Sequence, residues 1–297
     1  MDRYLLRYFL AVIDQGTFSK AAAACHVSQP TLSVGIAKLE LTLGKPLFHR
    51  TSRRIELTSA GATLLTHARR IEAEFARAER SVRGIATTSV VRLGVLTTLP
   101  PRWIDVYLDR LHAEAPAERV EIVEGREREL NERLARGRID AALTVLRGDD
   151  DRFERRTLFK EGYSLALAAH HPLAGRQTID AEELLDEPMI VRRQCELLPE
   201  TSRFFTARGV RPFFPARTTN EERALAYVRS GLGITIMPDS CKADGIVCIR
   251  LSGFDFIREI GLLFGSHAEA AELLARPALG LLTGTIAAAT ADHSPDI

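Results

Sequence analysis

The chain has 297 residues, 45% of them apolar and 27% charged, with a formal net charge of +1. That length exceeds one small core and makes two or more domains the default, and no apolar run reaches the roughly 20 residues of a membrane span. Acids interrupt the N-terminal MDRYLLRYFLAVIDQG, whose period is helical rather than signal-like, so the expected compartment is the cytoplasm with no membrane partner.

Four cysteines stand at 25, 195, 241 and 248, without a CxxC or a zinc spacing. Reduced thiols, no metal and no cofactor are expected. Residues 1–88 hold 13 Lys/Arg against 7 Asp/Glu, while the remainder holds 27 against 32. A basic N-terminal third on a mildly acidic body points to contact with a polyanion.

Leu5, Phe9, Val12 and Ile13 share one face of a first helix, closed by Gly16. Ser19 is expected to cap a short Ala-rich helix over 20–25, with Phe18 as a staple. The stretch SQPTLSVGIAKLE then reads as another helix, with Ser28 as N-cap and Pro30 in the first turn. Leu32, Ile36, Leu39 and Leu43 form its core stripe. The opposite face, Pro30, Val34, Ala37, Lys38 and Leu41, is neither charged nor clearly buried and asks for a partner. Two short helices joined by a tight turn make a helix-turn-helix, with the second helix as the reader.

In GKPLFHRTSRRIELTSAG, residues 47–50 and 54–57 can pair as a hairpin around 51–53. Arg50, Arg53 and Arg54 cluster at its tip, where guanidinium forks suit phosphate oxygens; alone, the same hairpin could be an ordinary solvated one. Thr58 caps a long helix to about residue 86. Leu64, Ala68, Ile71, Phe75, Ala78, Val82 and Ile85 alternate at spacings of four and three, a seam for a coiled-coil dimer. The alternative is a helix packed on its own domain.

The segment FSKAAAACHVSQPTLSVGIAKLELTLGKPLFHRTSRRIELTSAG resembles the winged helix-turn-helix of LysR-type transcriptional regulators. The paired Ala, VSQP, LS, LE, LG, LF.R and LT.AG stand in order. The resemblance implies double-stranded DNA as partner, with Gln29, Pro30, Thr31, Ser33 and Lys38 near it and Arg50, Arg53 and Arg54 in the wing. Ser28 joins this set at the helix start, and Val34 can touch a thymine methyl. Members of the family often carry a polar or basic pair where this chain has Val34 and Gly35. Glycine there costs up to about 1 kcal/mol relative to alanine.

After a hinge at 86–90, strands and helices alternate: VVRLGVL, a helix over 101–115, RVEIVEG, a helix over 127–137, and IDAALTV. YSLALAA, the helix DAEELL, MIVRR, a helix over 199–208, FFPARTT, a helix over 220–230 and GITIMP follow. IVCIRL, IGLLFG and a helix from about 268 close the chain. The expected fold is therefore α/β: an N-terminal winged helix-turn-helix (1–58), a long linker helix (59–86) and a two-lobed, periplasmic-binding-protein-like effector domain. The resemblance implies that two-lobed body. Its lobes are expected at 91–162 plus 266–290 and at 163–265, with a disordered tail at 291–297. The resemblance also implies a small-molecule effector and a homotetramer built from dimers.

Ligands of open α/β sheets sit past the carboxyl ends of the strands. Thr97, Thr98, Thr144, Arg192, Arg193, Thr218 and Thr219 stand at such places. Helix-start hydroxyls and a paired-arginine clamp suit a small organic anion. Each threonine could instead be a plain N-cap, each arginine a surface charge, and Glu221 and Glu222 would repel an anion.

Two other readings compete with the ligand-controlled regulator. Some relatives in the family sense oxidants through cysteines in the second lobe, where Cys195, Cys241 and Cys248 would lie. A solute-binding protein would share the body but lacks use for a winged domain. For an enzyme the chain offers no P-loop, dinucleotide fingerprint, G-x-S-x-G or HExxH, and the HHPLAG histidines read as a loop, so no catalytic residue is expected.

Overall fold

A computed structural model describes residues 2–49, 55–82, 90–148, 152–265 and 267–291. Helices α1 (Arg3–Gln15), α2 (Phe18–Ala24) and α3 (Gln29–Leu43) enclose a core of Leu5, Phe9, Ala21, Leu32, Ile36 and Leu39. Thr17 caps α2 by accepting from Lys20 N–H, in place of the expected Ser19, so the helix starts two residues earlier. Ser28 caps α3 as the sequence suggests, accepting from Thr31 N–H. Leu43 leaves the expected stripe, 39% exposed, because α3 ends there and Gly44 turns the chain away.

Gly35 faces α1 rather than water. A Cβ there would stand 2.7 Å from the Tyr8 ring, so the helix tolerates glycine's entropy to let α1 approach. Phe48 and Leu57 form an antiparallel bridge, the base of the wing, and Glu40 of α3 accepts from Leu47 and Phe48 N–H. The wing arginines Arg50, Arg53 and Arg54 lie outside the described residues.

Helix α4 (Ser59–Val82) starts behind Thr58, whose hydroxyl accepts from Gly61 N–H. A Cβ at Gly61 would fall 2.2 Å from the Leu47 carbonyl oxygen, so glycine lets α4 seat against the wing. Leu64 and Ala68 are buried in the winged domain's own core and Ile71 packs against it, whereas Phe75 is 43% exposed. The seam is thus shared: its first three positions serve the domain, while Phe75 and Ala78 are exposed. Arg3 ties α1 to α4, pairing with Glu72 and Glu79 beneath the Phe75 ring. Ile85 lies outside the described residues.

The body begins with β1 (Val91–Leu96), α5 (Pro101–Glu114), β2 (Val120–Gly125), α6 (Glu127–Ala135), β3 (Ala141–Val145) and β4 (Glu154–Glu161). Then come β5 (Tyr163–Ala168), β6 (Thr178–Ile179), a 3₁₀ turn at Ala181–Leu184, β7 (Ile190–Arg192) and α7 (Leu198–Ala207). The chain continues with β8 (Ala216–Thr218), α8 (Glu221–Arg229), β9 (Thr235–Pro238) and β10 (Ile246–Leu251). Strand β11 (Arg258–Phe264) and helices α9 (Ala270–Ala275) and α10 (Pro277–Ala291) complete it.

The first sheet has the order β2-β1-β3-β11-β4, with β1, β2 and β3 parallel and β11 antiparallel to both neighbours. The central strands β1 and β3 are buried on both faces apart from half-buried Arg92, because helices cover the sheet on either side. The second lobe holds a β6-β10-β5-β9 sheet and the β7-β8 pair. Strand β11 was expected in the second lobe, within 163–265. It lies instead between β3 and β4, so the chain recrosses before Arg258 rather than near 265. The single helix expected from about 268 is two, because Pro277 cannot continue α9. Ala291, assigned to the tail, still ends α10, and residues 292–297 lie outside the described residues. No helix among the described residues is long and apolar enough to cross a membrane.

Candidate DNA-reading face and interlobe cleft

On α3 the outward face carries Gln29, Pro30, Thr31, Val34 and Lys38, all exposed, with Ser33 half-buried beside them. Val34 is 68% exposed and Leu41 84%, a large apolar presence for a solvent face. The Ser28 and Thr31 hydroxyls lie 2.7 Å apart, one bonding the other, at the helix start. Lys38 reaches back to Tyr4 Oη at 3.4 Å and stays well exposed. This helix therefore offers free backbone N–H groups, small hydroxyls, an amide and two apolar side chains on one outward surface. It suits a groove with base edges and methyls.

Between the lobes lies a cavity of about 910 Å³. Leu96 at the end of β1, Arg126 and Asn131 of α6, and Arg193, Gln194 and Glu196 of the second lobe line it. Ile13, Leu57 and Leu65 of the winged domain border it too. Arg138 donates to the Asp14 carbonyl, a further tie between body and winged domain. Arg126 and Arg193 are exposed, and neither makes an ion pair among the described residues; Arg147, also on the wall, is held by Glu127 at 2.8 Å. Asn131 Oδ1 and Gln194 Oε1 are buried acceptors without a hydrogen-bond donor among the described residues.

Glu196, on the cavity wall, belongs to a buried ion cluster behind it. Arg258 sits between Glu161 at 2.7 Å and Glu196 at 2.5 Å, with all three side chains at most 7% exposed. Tyr163 donates to Glu196 at 2.7 Å, Thr98 donates to its other oxygen at 3.0 Å, and Arg258 in turn donates to Thr98. Ser240 binds Glu161 through both its N–H and its hydroxyl. Burial alone would raise the Glu196 carboxyl; the Arg258 charge and the surrounding donors outweigh it and hold the group below its usual range. Burial pushes the Tyr163 phenol up, and the adjacent Glu196 charge adds to that. Glu196 thus straps the second lobe to Thr98 of the first, in the place where a ligand carboxylate was expected.

The expected effector residues separate accordingly. Arg193 lines the cavity and makes no ion pair among the described residues. Its neighbour Arg192 leaves the expected clamp: it is 3% exposed, pairs with Glu221 at 2.5 Å and donates to the Ile236 carbonyl. β-strand alternation turns the two side chains apart. Thr98 faces Glu196, and Thr97 is half-buried with an unpartnered hydroxyl. Thr144 is fully buried inside the first sheet opposite Gly261, away from the cavity wall. Thr218 accepts from Asn220 N–H, Asn220 rather than a threonine caps α8, and Thr219 is exposed outside the cavity. Glu161, Tyr163, Glu196, Arg258, Arg126 and Asn131 were not anticipated. An arginine opening the apolar strand REIGLLF was the one available signal, since a buried Arg demands an acidic partner.

All four cysteines are free thiols. Burial pushes the Cys195 thiol up, with Arg192 opposing only in part, and drives Cys241 up to about 12. Cys248 is raised by burial as well. His171 is held by Glu187 at 3.2 Å, a structural tie in its turn. Among the described residues no group of three or more His, Cys, Asp or Glu could hold a metal.

Comparison with known proteins places both parts. The LysR substrate binding domain family matches residues 86–276, and the bacterial regulatory helix-turn-helix protein, lysR family, matches residues 4–62. The DNA-binding transcriptional dual regulator OxyR of Escherichia coli is 30% identical over 267 residues, 87% of this chain and 88% of that protein. The HTH-type transcriptional regulator AlsR of Bacillus subtilis is 29% identical, covering 82% of each chain. A full-length OxyR variant from Pseudomonas aeruginosa superposes with a TM-score of 0.63 at 24% identity, covering 96% of this chain and 94% of its own, which speaks for the fold. With a helix-turn-helix, an α/β body and both family matches in sequence order, the chain belongs to the LysR-type family of DNA-binding transcriptional regulators.

Proposed function

We propose that this regulator reads double-stranded DNA with Ser28, Gln29, Pro30, Thr31, Ser33, Val34 and Lys38 of α3 and with Arg50, Arg53 and Arg54 of the wing. A small organic anion in the interlobe cleft sets the strength of that binding. The protein works in the cytoplasm by binding, without turnover. It dimerises through 59–86, for which exposed Phe75 beyond the domain-packed part of α4 is the support, and dimers pair into a tetramer.

The observation that carries the effector class is the pair Arg126 and Arg193. Neither makes an ion pair among the described residues, and they stand on opposite lobes of one cavity that also holds the acceptors Asn131 Oδ1 and Gln194 Oε1. A carboxylate bridging the two arginines draws the lobes together, and hydroxyl or amine donors on the same ligand satisfy the two acceptors. Closure tugs on the Glu196 strap and on the cavity edge formed by Ile13 and Leu57 of the winged domain.

A thermal-shift screen of the full chain against small organic acids tests this. A binder at 100 times its dissociation constant adds about 2.7 kcal/mol of stability. The shift is expected to vanish in the Arg126→Ala, Arg193→Ala double variant; an unchanged shift there moves the ligand elsewhere.

A second reading is peroxide sensing. Relatives named hydrogen peroxide-inducible genes activator reach 31% identity in Haemophilus influenzae, over 79% of this chain, and Cys195 lines the same cavity. The raised Cys195 thiol favours the anion reading, because the thiolate is the reactive form.

A further inference from the structure

Helix α7 turns one stripe, Leu198, Thr201, Ser202, Phe205 and Thr206, in a single direction. Opposite it stands the β7-β8 pair. Ile190 and Ala216 face α8, packing with Ala224 and Val228. Val191 and Arg217, partners in register, face the other way. That second face and the α7 stripe are separated by a cavity of about 670 Å³. Its walls include the apolar side chains Val191, Phe205, Val210 and Phe214.

The charge of this cavity is one-sided. Arg211 and Arg217 stand exposed at its edge, and neither makes an ion pair among the described residues. The Arg217 guanidinium lies 5.4 Å from the centre of the Phe214 ring, extending the apolar wall and ending it in positive charge. No Asp or Glu lines the cavity among the described residues. Arg192 also borders it, but Glu221 holds its charge on the α8 side.

We propose that this cavity, inside the second lobe and apart from the interlobe cleft, is a second ligand site for an organic monoanion with an apolar body. A medium-chain or bicyclic aromatic carboxylate fits: the body lies between α7 and β7-β8, and the carboxylate meets Arg211 and Arg217. The volume falls within the ordinary range for small-molecule sites, about 300–1,000 Å³. Cys195 and Leu198 line both cavities, so an occupant of one presses on a wall of the other. Coupling of that kind is reciprocal: each ligand changes the other's affinity by the same factor. The second site stands on its own residues, whether or not the cleft takes an anion.

Calorimetric titration of decanoate and of 1-naphthoate into the full chain tests it, with the wild type and the Arg217→Gln, Ser202→Trp and Arg193→Ala variants. Ser202 is exposed at the cavity, so the indole blocks entry without entering the core. Saturable binding at one site per chain is expected for at least one probe. That binding should weaken at least tenfold in Arg217→Gln, disappear in Ser202→Trp and stay within twofold in Arg193→Ala. Binding that survives Arg217→Gln and Ser202→Trp but fails in Arg193→Ala belongs to the interlobe cleft and overturns the proposal. So does the absence of saturable binding by both probes.

Discussion

The outward face of α3 and the ion cluster behind the interlobe cleft both carry polar side chains outside an apolar core, but they spend them differently. On α3, Gln29 and Lys38 point into solvent with little to hold them. In the cluster Thr98, Tyr163, Glu196, Glu161 and Arg258 are bound to one another and shut away from water. The first surface is shaped for a large partner that brings its own hydrogen bonds. The second is self-satisfied, while Arg126 and Arg193 on the cavity wall make no ion pair among the described residues. Under the proposed function, the ligand meets the cleft's wall and leaves the salt cluster behind it intact.

Breaking the cluster gives the largest expected effect. Arg258→Met leaves Glu161 and Glu196 buried without their cation, and a loss of about 3–5 kcal/mol is expected from denaturant unfolding. A loss under about 1 kcal/mol shows that the carboxylates are wetter than the structure has them. Gly61→Ala comes next. Its methyl meets a backbone oxygen that cannot swing away, so about 1–3 kcal/mol is expected, with weaker DNA binding as the wing shifts. Gly35→Ala meets only the Tyr8 ring, which can turn, and should cost less than Gly61→Ala.

Glu196→Gln sharpens the comparison through pH. The folded carboxyl lies below its unfolded value, so its contribution is present above the ordinary carboxyl range. That contribution is lost as pH falls through this range toward the lower folded value. The wild type is expected to lose stability across that acid window more steeply than Glu196→Gln; identical profiles contradict the cluster. The smallest effect on stability belongs to α3. Val34→Ser at its 68% exposed position should leave unfolding within about 0.5 kcal/mol while reducing preference for operator over random DNA. Equal loss on both DNAs removes Val34 from base readout.

The winged domain was legible because its signals are local: the Ser28 cap, the Leu32–Ile36–Leu39 stripe and the Thr58 cap all lie within a few residues of what they organise. Strand β4, ERRTLFKE, escaped notice because an edge strand in water carries charges without apolar alternation. Strand β11 is legible as a strand but not as part of the first lobe, since its sheet partners are chosen by tertiary packing. The ion cluster was hidden for the same reason. Arg258 and Glu196 are 62 residues apart in sequence, and Thr98 and Glu196 are 98 apart. Arg192 and Arg193 looked equivalent side by side; only Glu221 across the β7-α8 packing distinguishes the ion-paired one from its neighbour.

The most direct test of the sensing account is the affinity of the full chain for its operator DNA. It is measured at fixed salt without additive, with the best acid from the thermal screen, and with hydrogen peroxide, in the wild type and in Arg193→Ala and Cys195→Ser. The account predicts that the acid changes the wild-type affinity, that Arg193→Ala abolishes the change, and that peroxide and Cys195→Ser leave it alone. A change produced by peroxide, absent with every acid and lost in Cys195→Ser, would contradict it.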